Sequence, residues 1–363
     1  MAGRRFPASD TGIGLTLWIR EFPFRQQVRH IDTTRRDRQV ADVVHQIRTD
    51  FGMLAPPFAL HLPVPELLCA LWLVFRETMY ARGVGRDVKE AVAATVSATN
   101  ACPYCVDAHT TMLTALDGGD PAAAVSSVAI DSIADPAMRG AIAWARATGQ
   151  PGAQILRNRP FPDEHVPELV GTALAFHYVN RMVNIFAVDS PFPGRGPRAK
   201  RIARRIALPT FRKLLSHNVT PGTSVNLLPA AELPQDLAWA AGNPVIADAF
   251  ARAAAAFDAA GRAVLPDSVR KLVEGRLATW QGEDPGISRA WIEPAVEPLQ
   301  TTERPVARLA LLAAFASHQV DDHVLETART TPGPVGDRIL LAVAGWASFA
   351  IARRIGTWLN PTG

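Results

Sequence analysis

Cysteine is scarce in this 363-residue chain: three are present, too few for the disulfide framework of a small secreted domain. Tyrosine is equally rare, at three, and aromatic residues make up 7% of the chain. No run of 18 uncharged apolar residues occurs, so the sequence shows no membrane-spanning segment of the usual kind. The basic start MAGRRFPASD is not followed by the apolar core of a signal peptide. Net charge is +4, modest for this length, and no aromatic interleaving accompanies the basic residues, which speaks against nucleic acid as a partner. These absences lead to the expectation of a cytoplasmic protein bound neither to membrane nor to nucleic acid.

What is present favours helix. Hydrophobic residues account for 48% and charged residues for 20%, with alanine and leucine abundant, a composition that folds rather than stays disordered. The length suggests about two domains. Apolar spacing predicts helices over 38–51, 66–80 and 88–98, with FGMLAPPFALHLPVP as a non-regular connection before the second. Further helical patterns follow in DGGDPAAAVSSVAI, DPAMRGAIAWARATG and PELVGTALAFHYVNRMVNIF. Cys69 sits among Leu67, Leu68, Leu71 and Trp72 and reads as a packed, inert thiol. His30 and His45 read as surface residues.

The other two cysteines form Cys102-Pro-Tyr-Cys105, with His109 four positions beyond the second thiol and Glu90 twelve before the first. Pro103 suits the first turn of a helix, since it has no N–H to leave unpaired. Cys102 then sits at the cap, Cys105 one turn in, and His109 a further turn along roughly the same face. First-turn amides and the helix dipole favour a thiolate there. In one unbroken helix Glu90 would lie roughly 18 Å from Cys102. A chain reversal near Asn100, where Ser-Ala-Thr-Asn meets the proline, would bring it back to the imidazole.

Plainer readings compete. A structural zinc site needs four ligands, and no second cysteine pair exists. The thiols could be neighbours in a core, with His109 a packing residue and Glu90 a surface carboxylate. A dithiol redox centre accounts for more of the pattern than either. In PELVGTALAFHYVNRMVNIF, the polar run His177, Asn180, Arg181 and Asn184 interrupts an apolar helix and reads either as polar packing or a subunit interface, or as a pocket wall. HQVDDH, with His318, Asp321, Asp322 and His323, has the spacing of a metal site but looks like the exposed end of a helix.

The spacing Glu90-x11-Cys102-x-x-Cys105-x-x-x-His109 resembles the alkylhydroperoxidase D and carboxymuconolactone decarboxylase superfamily. Tyr104 stands where some members carry a histidine, and His177-x-x-Asn180-Arg181-x-x-Asn184 is similar to an element packed near the catalytic helix. The resemblance implies an all-α fold of the helical-bundle type. It also implies a cysteine peroxidase that reduces organic hydroperoxides or hydrogen peroxide, with Cys105 peroxidatic, Cys102 resolving, and His109 and Glu90 as a proton relay. Read from the residues alone, the choice of attacking thiol stays open, because the cap favours Cys102 and the imidazole favours Cys105. Tyr104, His177, Asn180 and Arg181 become candidate pocket residues. The implied partners are a hydroperoxide, a dithiol donor of thioredoxin-like or lipoyl type, and further copies of the chain; no cofactor or metal is called for. A general dithiol–disulfide oxidoreductase, a lactone decarboxylase-type lyase and a non-enzymatic scaffold are the alternatives.

The second half repeats the first in its punctuation. Pro65 matches Pro244, DPAMRGAIAWA matches ERPVARLALLA, and AFHYVNRMVNIF matches WASFAIARRIGTWL, the mark of an internal duplication. Carried across, Glu90 falls near Lys271, Cys102 near Glu283, Cys105 near Gly286 and His109 near Ala290, so the second copy is expected to be chemically silent. Between the copies lies a basic stretch with Arg195, Arg198, Lys200, Arg201, Arg204, Arg205, Arg212 and Lys213, read as a linker or an amphipathic helix. The expected organisation is an N-terminal extension at 1–44, a domain with the cysteine pair at 45–194, a basic linker at 195–225 and a degenerate second repeat at 226–363.

Overall fold

A computed structural model describes residues 27–33, 40–117, 125, 133–193, 196–216, 219–331 and 336–359. Its longer helices are α1 (Val40–Asp50), α2 (Pro65–Met79), α3 (Arg86–Thr99), α4 (Pro103–Asp117), α5 (Pro136–Arg146), α6 (Val166–Phe186), α7 (Pro197–Leu215), α8 (Pro244–Val264), α9 (Asp267–Thr279), α10 (Arg304–Phe315), α11 (Asp322–Arg329) and α12 (Asp337–Leu359). The described residues contain no β-strand, only an isolated bridge between Val28 and Ala187. The N-terminal extension up to residue 26, Arg195 and most of the helical pattern in DGGDPAAAVSSVAI lie outside the described residues. Within the proline-rich connection before α2, Pro56–Ala59 forms a single helical turn. The basic segment takes the amphipathic-helix form, α7, and packs along α4.

Proline sets many of the helix starts. α2, α5, α6, α8 and α10 each hold one in the first turn, where a missing N–H costs no intrahelical bond. Composition then decides depth. Every residue of α2 except Glu66 is buried, and every residue of α6 except Asn184, because a helix apolar on all sides needs neighbours on all sides. α12 is long and apolar enough to cross a bilayer, with a mean hydropathy of 1.4, yet 83% of that stretch is buried inside the protein. It packs against α6, α8 and α10.

The duplication is visible in the packing. α2 lies against its counterpart α8, and α6 against its counterpart α12, so the two copies meet through equivalent helices. Gly171 on α6 packs tightly against α2 of its own copy and α8 of the other: a Cβ there would stand 2.5 Å from Thr78 Cγ2 and 3.2 Å from the Phe250 ring. The second copy has no equivalent of α4. Glu283, Gly286 and Ala290 lie exposed in the segment between α9 and the short helix Ile292–Val296, and Lys271 is exposed on α9. Gly282 and Gly286 there adopt positive φ values of 91° and 77°, which breaks any helix through the segment.

Candidate active site

The site is built on a helical hairpin. α3 ends in a Schellman turn: Cys102 N–H donates to Ser97 O at 2.9 Å and Ala101 N–H to Ala98 O at 3.2 Å. The residue that turns the chain is Ala101, at φ 50°, a conformation that costs a non-glycine residue about 1 kcal/mol. The reversal lays α4 antiparallel along α3, so residues at comparable distances from the turn face each other. Glu90 and His109 are such a pair.

Glu90 is fully buried and carries two charge-assisted contacts. Its Oε2 accepts from His109 Nδ1 at 2.6 Å and its Oε1 from Arg86 Nε at 2.8 Å. Burial alone would raise the carboxyl pKa, but Arg86 and His109 together hold it below its ordinary value. The Glu90 bond places the His109 proton on Nδ1, leaving Nε2 as the nitrogen able to take a proton. The ring is also set edge-on against Phe176 of α6, with centroids 4.5 Å apart.

Cys102 caps α4 and Cys105 sits in its first turn, both as free thiols, 1% and 3% exposed. The first-turn amides and the helix dipole predict an easily formed thiolate, and Cys105 departs from that expectation. Burial pushes its pKa well above the ordinary value; a hydrogen bond with the Cys102 side chain and that sulfur's proximity add to the rise, while Asn180 pulls the other way. Loss of water outweighs the field of the first-turn amides. Cys105 therefore holds its proton until a base removes it. Cys69, in the packed position expected, is likewise pushed up by burial to about 12.

The polar run on α6 gathers around Asn100, the last residue before the turn. Asn100 Nδ2 donates to Asn180 Oδ1 and to His177 Nδ1, both at 3.0 Å. Asn184 Nδ2 donates to Asn100 O at 3.0 Å, and Arg181 Nη1 reaches Asn100 Oδ1 at 3.4 Å. His177 Nε2 faces Thr148 Oγ1 at 2.9 Å, and that hydroxyl donates to Ala145 O, so the histidine proton sits on Nε2. Burial, then Arg181, depresses the His177 pKa well below its usual value. Asn180 links this cluster to the chemistry: its Nδ2 donates to Ser97 Oγ at 2.9 Å, and its side chain pulls the Cys105 pKa down. Of the candidate pocket residues, His177 and Arg181 line a cavity of about 180 Å³ between the two copies, and Asn180 stands between that layer and the thiol. Tyr104 lies apart from them, buried beside both cysteines with its hydroxyl donating to Gln27 Oε1 at 3.0 Å.

The sequence does not single out Arg86 or Asp107, and it marks Asn100 only as the place where the chain turns. Arg86 stands one helical turn before Glu90, a spacing that signals an ion pair. Asp107, between Cys105 and His109 on α4, pairs with Arg204 of α7, accepts from Ser190 Oγ at 2.5 Å and lies 3.5 Å from Lys200 Nζ. These contacts tie α7 and the 187–193 segment over the catalytic helix. The HQVDDH residues go separate ways: Asp321 caps α11 and pairs with Arg289, Asp322 pairs with exposed His30, and His318 lines the cavity.

A family model described as the carboxymuconolactone decarboxylase family matches residues 65–147, the span that holds the hairpin. Over 350 residues the chain is 37% identical to the alkyl hydroperoxide reductase Rv2159c of Mycobacterium tuberculosis, an alignment covering 93% of this chain and 99% of that protein. The chain belongs to the alkylhydroperoxidase D-like carboxymuconolactone decarboxylase superfamily. No solved structure matches it. The near-complete alignment with a family relative runs through both copies of the repeat, so the copy without thiols is part of what the two proteins share.

Proposed function

We propose that the chain is a cysteine-based peroxidase, an oxidoreductase that reduces organic hydroperoxides or hydrogen peroxide through a Cys102–Cys105 dithiol/disulfide cycle. The observation that carries this reading is the Glu90–His109 pair, at 2.6 Å, on the hairpin that presents two free, buried thiols. The relationship to an alkyl hydroperoxide reductase over nearly the full length supports it.

In the cycle, His109 Nε2 takes the Cys105 proton, directly or through water, and the buried Glu90 carboxylate stabilises the imidazolium that forms. The Cys105 thiolate attacks the distal peroxide oxygen; an S–O bond forms, the O–O bond breaks, and the leaving alkoxide departs as alcohol with the relay proton. The sulfenic acid on Cys105 then condenses with the Cys102 thiol, forming the S–S bond and releasing water. An external dithiol, of thioredoxin-like or lipoyl type, returns two electrons. The Asn180 side chain pulls the Cys105 pKa down and so offsets part of the cost of forming a thiolate in a buried setting.

The test is stopped-flow oxidation of the prereduced protein by cumene hydroperoxide, with thiols counted and the disulfide located by peptide mass. Loss of two thiols per chain with Cys102 joined to Cys105 supports the reading; thiols that stay reduced at millimolar peroxide overturn it. The same proposal places the protein in the cytoplasm, where thiols remain reduced. It also takes the duplicated chain as the unit of a homo-oligomer, which light scattering showing only monomer across the micromolar range would refute.

A further inference from the structure

Arg181 is a buried cation whose partners are neutral. It is 8% exposed. Among the described residues its Nε donates to Ala314 O at 2.9 Å, and its Nη1 to His177 O at 2.6 Å and to Asn100 Oδ1 at 3.4 Å. Other buried cations have a carboxylate at contact distance: Arg86 has Glu90, Lys89 has Glu168, and Arg76 has Asp50 and Glu77. Among the described residues no carboxylate at contact distance offsets the desolvation of Arg181, whose pKa burial pulls down to about 10. A charge held out of water without a counter-charge is costly, and an anion arriving beside it would relieve that cost.

The space for one is there. The guanidinium lines the cavity of about 180 Å³, which has Asn100 and His318 on its polar side and Trp280, Phe315 and Ile355 on its apolar side. At about 30 Å³ per water this is room for roughly six waters, too small for a drug-sized molecule and suited to a short organic acid. Glu283 and Asp284 stand at its exposed rim. Their carboxylates accept from the loop's own amides, Gln281 N–H and Gly286 N–H, each at 2.8 Å. Two rim carboxylates repel a second negative charge on a ligand whose first is held inside.

We propose that this cavity binds a small aliphatic monocarboxylate, its carboxylate on Arg181 and its chain against Trp280, Phe315 and Ile355. The site adjoins the redox turn: Asn100, which Arg181 touches, donates to Asn180, whose side chain pulls the Cys105 pKa down. The carboxylate is either the tail of the hydroperoxide itself or that of a separate metabolite. Binding at Arg181 stands independently of the peroxidase reading, because it is measured without peroxide.

The experiment is isothermal titration of the reduced full-length protein with hexanoate, hexanol and adipate. Hexanoate binds, and hexanol and the dicarboxylate adipate bind about tenfold more weakly or not at all. Arg181→Met loses hexanoate by at least about tenfold, and Arg181→Lys, which keeps the charge without the planar fork, falls between. The ligand comparison on the unaltered protein needs no variant to fold. Equal binding of hexanol and hexanoate, or no heat with millimolar hexanoate, overturns the proposal. Two sources are then separated by rate. If the ligand is the substrate's tail, 6-hydroperoxyhexanoate oxidises the thiols faster than tert-butyl hydroperoxide, and Arg181→Met abolishes that advantage. If it is a separate metabolite, hexanoate binds and the two peroxides keep the same rate ratio in both proteins; either pattern, with hexanoate bound, supports the site.

Discussion

Glu90 Oε2 and His109 Nδ1 stand 2.6 Å apart across the α3–α4 hairpin, with Arg86 on the other carboxylate oxygen at 2.8 Å. The pair makes His109 Nε2 the basic nitrogen and gives the imidazolium a fixed counter-charge. Glu90→Gln keeps the shape and removes the charge. The rate of Cys105 oxidation by peroxide should fall by about 10²-fold or more, the size of a lost acid–base contribution. Its pH profile should move to higher pH, because the thiol must then ionise without the relay. An unchanged rate and profile would remove Glu90 from the mechanism.

The two thiols have separable fates. Cys102→Ser should still form one sulfenic acid per site under peroxide, trapped by dimedone and read by mass, because Cys105 remains to attack. Cys105→Ser should form none. The reverse pattern would exchange the roles of peroxidatic and resolving cysteine while leaving the cycle itself intact.

Asp107 holds α7 against α4, the helix whose thiols Cys102 and Cys105 are 1% and 3% exposed. Its partners Arg204 and Lys200 on α7 are about one-third exposed, so each pair is worth at most about 1 kcal/mol. Asp107→Asn should raise the rate at which a bulky disulfide reagent labels Cys102 and Cys105 by about fivefold. The circular dichroism of the fold should not change. Labelling at the parent rate would mean that α7 is held by its apolar contacts alone.

Stability should fall in mild acid. His61 is buried between Pro57 O at 2.8 Å and Tyr178 Oη at 2.7 Å, and burial lowers its pKa from 6.5 to about 4. Between those values the unfolded chain binds a proton that the folded chain does not, so stability declines as pH drops through the window. The loss from this group is about 3 kcal/mol. His177, also depressed by burial, adds a decline of the same sign. Urea unfolding of His61→Gln at pH 4.5 and 6.5 should show a smaller difference between the two than the parent does. An identical difference would show that His61 takes no part in it.

Much of the architecture was legible locally. The proline-led starts of α2 and α8 and the all-round apolar run of α6 follow from fixed φ and side-chain chemistry within a few residues. The reversal near Asn100 was legible too, though its agent was not: Ala101 takes a left-handed conformation usually left to glycine, so no residue there advertises it. The polar run on α6 was visible as an interruption, but its convergence on Asn100 was not, since that partner lies about 80 positions away.

By itself the sequence determined many of the long helices, that Cys105 and His109 share a helical face, and that the second copy lacks both, because these depend on spacing and on bonds within one segment. Tertiary structure alone decided the rest. It brought Glu90 to His109, laid Asn180 near Cys105, shut the thiols away from water and left Arg181 at a cavity with, among the described residues, no carboxylate at contact distance. Burial and the pairing of charges are properties of what a distant part of the chain places alongside, and no local pattern carries them.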